Sequence, residues 1–96
     1  LLKQAPAKIL AIINSEYARM LNIKSMMEKG MNDTAIATAL GMHSFAVGKR
    51  MPTVRKYKME ELKKCLNQGI QADHSYKSGN ISDRMALEIL LVELTQ

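Results

Sequence analysis

Ninety-six residues suffice for one domain, residues 1–96, which should bury roughly 60–65% of its unfolded surface but has no room for two cores. Apolar residues make up 47% of the chain against 4% aromatics and no Trp, which excludes a disordered chain and leaves aliphatic side chains and eight Met to fill the core. The net charge of +5 is localised: Lys49 to Lys64 holds seven basic and two acidic residues, and the remainder holds seven of each.

A single Cys65 excludes an internal disulfide and fits a reducing compartment. There is no 18-residue apolar run, so no membrane span is expected. The opening Leu1-Leu2-Lys3 lacks the form of a signal peptide, and a start at Leu reads as a fragment of a longer protein.

In chain order, the periodicity predicts only helices. The first should run from near Pro6, a favoured first-turn residue, to Lys29, with Gly30 as its stop. Its apolar residues Ile9, Leu10, Ile13, Tyr17, Met20, Leu21 and Met27 recur at helical spacing. With Ile12 and Ile23 the stripe covers about half the circumference at 100° per residue, which suggests more than one neighbour. Glu16 and Lys24 fall inside this arc and call for edge positions or charged partners. A second helix of about ten residues should begin at the N-cap Asn32, with Asp33 complementing the dipole, and end at Gly41. A third starts near His43 or Ser44; Gly48 weakens it, and Pro52 should break or restart it.

The fourth should span about Met59 to Lys77 and stop at Gly79-Asn80. Leu62, Cys65, Leu66, Gly69, Asp73 and Tyr76 share one face of it. Asp73, an acid in an apolar stripe, needs a partner. Lys77, one turn later, is the local choice for a structural ion pair; Arg19 and Lys24 are the distant ones. The fifth helix should start at the N-cap Ser82. From Met85 to Leu94 only Glu88 and Glu93 are polar, and a helix so apolar must be covered on several sides. Leu87, Leu91 and Leu94, with Tyr17 on the first helix, are therefore candidates for an interface with another subunit.

Residues for catalysis or metal binding are missing. Cys65, His43 and His74 are the only soft ligands, none paired at helical spacing, and no Cys-x-x-Cys or His-Glu-x-x-His occurs. No catalytic residue, metal, cofactor or small-molecule substrate is expected. Lys49, Arg50, Arg55 and Lys56 form a candidate DNA-backbone patch. Ala37, Gly41 and Val47 are spaced like a helix-turn-helix, which keeps open the DNA-binding domain of a transcription regulator. Of its outward residues Ser44, Phe45, Gly48 and Lys49, however, only Lys49 is a strong donor to bases or phosphates, where a reader of sequence should present Arg, Asn or Gln.

Two segments in order carry more. Ile36-Ala37-x-x-Leu40-Gly41-Met42-His43 is followed by Glu60-Glu61-Leu62, then by Asp73-x-x-x-Lys77-Ser78-Gly79 and the Leu-rich Leu87 to Leu94. In this order the chain resembles, over nearly its whole length, the C-terminal domain of the delta subunit of bacterial DNA polymerase III. It departs from the family pattern at Ser44, where Pro is frequent, at Lys58, where a Ser or Thr cap is usual, and at Pro52. The resemblance implies an all-α bundle of five to six helices, like a clamp-loader collar, with a helix-turn-helix-like segment. It implies a non-catalytic role in the bacterial cytoplasm, helping assemble the clamp loader that places the sliding clamp on DNA. Its partners would be the collar domains of other clamp-loader subunits, with non-specific contact to primer-template DNA a further possibility. ATP hydrolysis would belong to other subunits.

Overall fold

Five helices, with no strand among the described residues, make up the computed structural model, which describes residues 5–96: α1 (Pro6–Glu28), α2 (Asp33–Leu40), α3 (Ser44–Arg55), α4 (Met59–Lys77) and α5 (Asp83–Leu94). The opening Leu1-Leu2-Lys3 lies outside the described residues. The chain divides into two compact units. Residues 1–17 and 64–96 form the first, residues 18–63 the second, so α1 and α4 each contribute to both.

The helix ends follow from local chemistry. At α1, α2 and α4 a glycine closes the helix with positive φ: Gly30 at 82°, Gly41 at 66° and Gly79 at 84°. Each left-handed glycine amide reaches three residues back, and the next amide five back: Met31 to Met26 O, Met42 to Ala37 O and Asn80 to Ser75 O. The last carbonyls are satisfied in this way, at a backbone conformation that costs glycine little. At the start of α2 the Ala35 amide donates to Asn32 Oδ1 at 2.9 Å, and at the start of α5 the Met85 amide donates to Ser82 Oγ at 3.1 Å. Such caps contribute about 1 kcal/mol each.

Two starts lack an ordinary cap and find another. Lys58, where Ser or Thr is usual, has no acceptor side chain. Glu61 instead reaches back, and its Oε1 accepts from the Lys58 amide at 2.7 Å, which supplies half of a capping box. Ahead of α1 stands Ala5, equally unable to cap. Pro6 has no amide to satisfy, and the next amide, Ala7, donates to Asp83 Oδ2 at 3.2 Å. One carboxylate thereby serves the positive ends of both α1 and α5, where a negative charge is stabilising.

In the first unit Leu10, Ala72, Ala86 and Leu90 form the buried core, with Ile13, Tyr76, Ile81, Leu87 and Leu94 half-buried against it. Asn14 of α1 meets Gly69 of α4 there: Asn14 Nδ2 donates to the Gly69 carbonyl at 3.1 Å. A Cβ on Gly69 would fall on the Asn14 side chain. This mid-helix glycine is thus required by a close approach, which outweighs its cost of roughly 0.5–1 kcal/mol relative to Ala. In the second unit Met20, Ile23, Ile36, Ala37, Val47, Val54 and Leu62 are buried, and α2 packs against α3.

Two expectations are corrected. The second helix has eight residues rather than ten, because Asn32 and Gly41 are its caps. Pro52 does not break the third: α3 runs unbroken from Ser44 to Arg55. An interior proline costs about 3 kcal/mol, but Val47 and Val54, on the turns either side, are both fully buried and hold the helix through it. Gly48, whose carbonyl would face the proline ring, has no side chain to add to the crowding. The fifth helix, read as an interface helix that its own chain would not enclose, leaves Met85, Ile89, Leu91 and Val92 about half exposed within this chain.

Candidate interaction surfaces

Helix α5 has two apolar faces. Ala86 and Leu90 are fully buried, with Leu87 and Leu94 half-buried beside them. At 100° per residue, Met85, Ile89 and Val92 form a stripe opposite that core, with exposures of 49%, 46% and 58%. Glu88 and Glu93 flank the stripe, and these five residues border a shallow cleft of about 300 Å³. The candidate interface named from sequence is therefore divided: Leu91 is exposed, whereas Leu87 and Leu94 pack against the unit's own core. Tyr17 on α1 is half-buried. Sequence reasoning chose the leucines and passed over Met85, Ile89 and Val92. The available signal was the 85-89-92 spacing, but without a polar face nothing in an all-apolar helix says which stripe points inward.

Helix α3 presents the other surface. Val47 and Val54 are buried, and the opposite face carries Phe45, Lys49, Pro52 and Lys56, all exposed. Phe45, the chain's single Phe, is 72% exposed. The four residues of the candidate DNA patch do not share this face. Lys49 and Lys56 lie on it, while Arg50 and Arg55 fall on opposite flanks at 100° per residue. Arg50 is half-buried and its guanidinium donates to the Ala46 carbonyl at 2.8 Å. Arg55 lines an open cleft of about 570 Å³ with Asp33, Met27, Met31 and Met51. At the start of α3, His43 is the cap: its Nδ1 accepts from the Phe45 amide at 3.1 Å, a role that requires that nitrogen to be unprotonated.

Asp73 meets Lys77 at 2.9 Å, one turn along α4. The hydrogen bond that the Lys77 ammonium donates to Asp73, and then the carboxylate's charge, raise the Lys77 pKa above the ordinary 10.5. The pair is partly solvated, so its contribution to stability is small. Among the described residues no group of three or more His, Cys, Asp or Glu is placed to hold a metal ion, and no helix is long and apolar enough to cross a membrane.

Residues 1–94 match the family model described as the C-terminal domain of the DNA polymerase III delta subunit. The DNA polymerase III subunit delta of Bacillus subtilis (strain 168) is 33% identical over 96 residues, covering 98% of this chain and 28% of that protein. Among solved structures, the Bacillus subtilis DNA clamp loader delta protein is similar with a TM-score of 0.90 at 30% identity, over 97% of this chain and 27% of that one. The chain thus spans about a quarter of the length of these relatives. Both fold and sequence favour this family over a transcription regulator, despite the helix-turn-helix spacing of α2 and α3. The chain belongs to the family of C-terminal domains found in the delta subunits of DNA polymerase III.

Proposed function

We propose that this chain is a non-catalytic oligomerisation module, the collar domain of a clamp-loader delta subunit, which works in the bacterial cytoplasm by holding neighbouring clamp-loader subunits together. The observation that carries this reading is the outward stripe of Met85, Ile89 and Val92, backed by Leu91. Apolar surface gains roughly 25 cal/mol per Å² on leaving water. These side chains have no structural reason to face solvent, because Ala86 and Leu90 already fill the core side of α5. Replication subunits of the relatives' kind assemble into a larger machine, and such a stripe is what an adjacent helical domain would cover.

Ile89→Lys tests the reading. The substitution should change the unfolding free energy by less than about 1 kcal/mol, since the side chain is half exposed. It should nevertheless weaken co-elution of the full protein with the other clamp-loader subunits in size-exclusion chromatography. Normal assembly by a folded variant would refute the role of this face.

A second reading concerns the charge. Among the residues of α3 there is no acid, and the exposed Lys49 and Lys56 would attract phosphates without reading bases. Contact with the backbone of primer-template DNA is thus proposed for the second unit. Lys49→Ala with Lys56→Ala should reduce affinity for DNA uniformly across sequences and flatten its salt dependence.

A further inference from the structure

Gly48 and Pro52, the two residues of α3 that helices disfavour, line one and the same cleft of the second unit. One wall is a flank of α3, where Gly48, Met51, Pro52 and Arg55 recur at i, i+3, i+4 and i+7. The other is the end of α1 and the turn into α2, with Met27, Met31 and Asp33. Its volume of about 570 Å³ lies within the range of ligand sites. Pro52 has no amide to offer the Gly48 carbonyl one turn earlier, so a backbone acceptor between two cleft residues loses its helical donor. Nor does packing demand a glycine at 48, because a Cβ there would meet only Asp33 Oδ2, at 3.6 Å. Local rules broken without a packing gain mark functional sites.

We propose that this cleft binds a short extended peptide carrying an apolar side chain next to an acidic one. The inference is independent of both readings above, since it uses neither the α5 stripe nor Lys49 and Lys56. The cleft is polar at its two ends and apolar between them. At one end stand acceptors, the Gly48 carbonyl and Asp33; Asp33 Oδ1 takes the Thr34 amide at 2.9 Å, and Oδ2 lies on the Gly48 side, placed for a peptide N–H. At the other end is the exposed guanidinium of Arg55, a donor fork that fits a carboxylate. Gly48 and Arg55 are about 10 Å apart along the helix axis, a span that an extended chain covers in about three residues. Between them Met27, Met31 and Met51, all half-buried, give an apolar lining that adapts to an inserted side chain. Charge favours an acidic partner: the second unit holds nine basic and four acidic residues, hence the entire net charge of +5. A phosphate chain fits this lining poorly, because it would meet Asp33 and leave the thioethers unused.

An array of acetylated hexapeptides, with the two central positions varied over all residue types and the full chain applied to it, tests this. Peptides with Leu, Ile or Met beside Asp or Glu should bind best, and their Lys counterparts about fivefold or more weaker. Titrating the best peptide into the chain with isotope-labelled methionine methyl groups should shift the nuclear magnetic resonance signals of Met27, Met31 and Met51 and leave that of Met85 in place. Arg55→Gln should weaken binding of the acidic peptide about fivefold and leave its amide counterpart unchanged. Gly48→Leu, which fills the cleft, should weaken both about tenfold or more; Arg55→Gln, at an exposed position, decides the matter should Gly48→Leu unfold. Absence of binding across the array overturns the proposal, as do shifts confined to other methionines or equal binding of acidic and basic peptides. Oligo-dT that shifts the same three signals would overturn it in favour of nucleic acid. None of these results bears on the α5 stripe.

Discussion

The two units solve the same folding problem and present opposite surfaces. The first is electrically neutral and turns Met85, Ile89 and Val92 outward; the second carries the whole charge excess and turns out a lone phenyl ring among lysines. Each also contains a residue that helices disfavour, Gly69 in α4 and, besides Gly48, Pro52 in α3, for different reasons. Gly69 lies where Asn14 crosses, so its missing side chain is a requirement of packing. Pro52 is exposed, and α3 runs through it because Val47 and Val54 are buried on either side. Helix propensity is a weak influence, and what the neighbouring helix touches decides whether breaking the rule is useful or merely tolerated.

That contrast can be broken by experiment. Pro52→Ala should give the largest effect, a stabilisation of about 2 kcal/mol in urea unfolding, because alanine restores an amide to the ladder and meets no neighbour. Destabilisation by Pro52→Ala would mean that the proline ring makes a contact the second unit needs. Gly69→Ala should run the other way despite the better propensity of alanine. Overpacking against Asn14 costs typically 1–3 kcal/mol, so a net loss of about 1 kcal/mol is expected; unchanged stability would show that Asn14 can swing aside freely.

The smallest effect concerns pH. Because Lys77 has a raised pKa in the folded chain, its pairing with Asp73 stabilises fully below the ordinary lysine value of 10.5 and is lost as pH rises through the raised one. A slight fall in the urea midpoint should therefore accompany the rise above pH 10.5. Lys77→Met, which has no ammonium to titrate, should show less of that fall; an identical pH profile in the variant would remove the pair from the account of stability.

Much of the fold was legible in local chemistry. Asn32, Ser82, Gly30, Gly41 and Gly79 mark helix ends through interactions confined to a few residues, so their positions follow from spacing alone. Asp73 found Lys77, the partner one turn away. The misreadings arose where a decision depended on distant residues. Pro52 looked like a break because nothing nearby reveals that Val47 and Val54 are both anchored. Leu87 and Leu94 were named for an interface from a helix apolar nearly all round, and it is Ala86 and Leu90 packing on Leu10 and Ala72 that set the inward face and leave both leucines half-buried beside it. The four cations, two adjacent pairs in sequence, were read as one patch; at 100° per residue Lys49 and Lys56 share a face of α3 while Arg50 and Arg55 lie on its flanks.

By itself the sequence determined the capping residues at the helix ends, the basic segment and the family, because caps, periodicity and ordered motifs act over one or two turns. Tertiary structure decided which side of α5 is core, how far Pro52 is tolerated, why Gly69 must be glycine, and that Asp83 caps α1 from 76 positions away. Those outcomes depend on side chains brought together by folding, and an apolar or charged residue has no inward or outward side until its neighbours are in place.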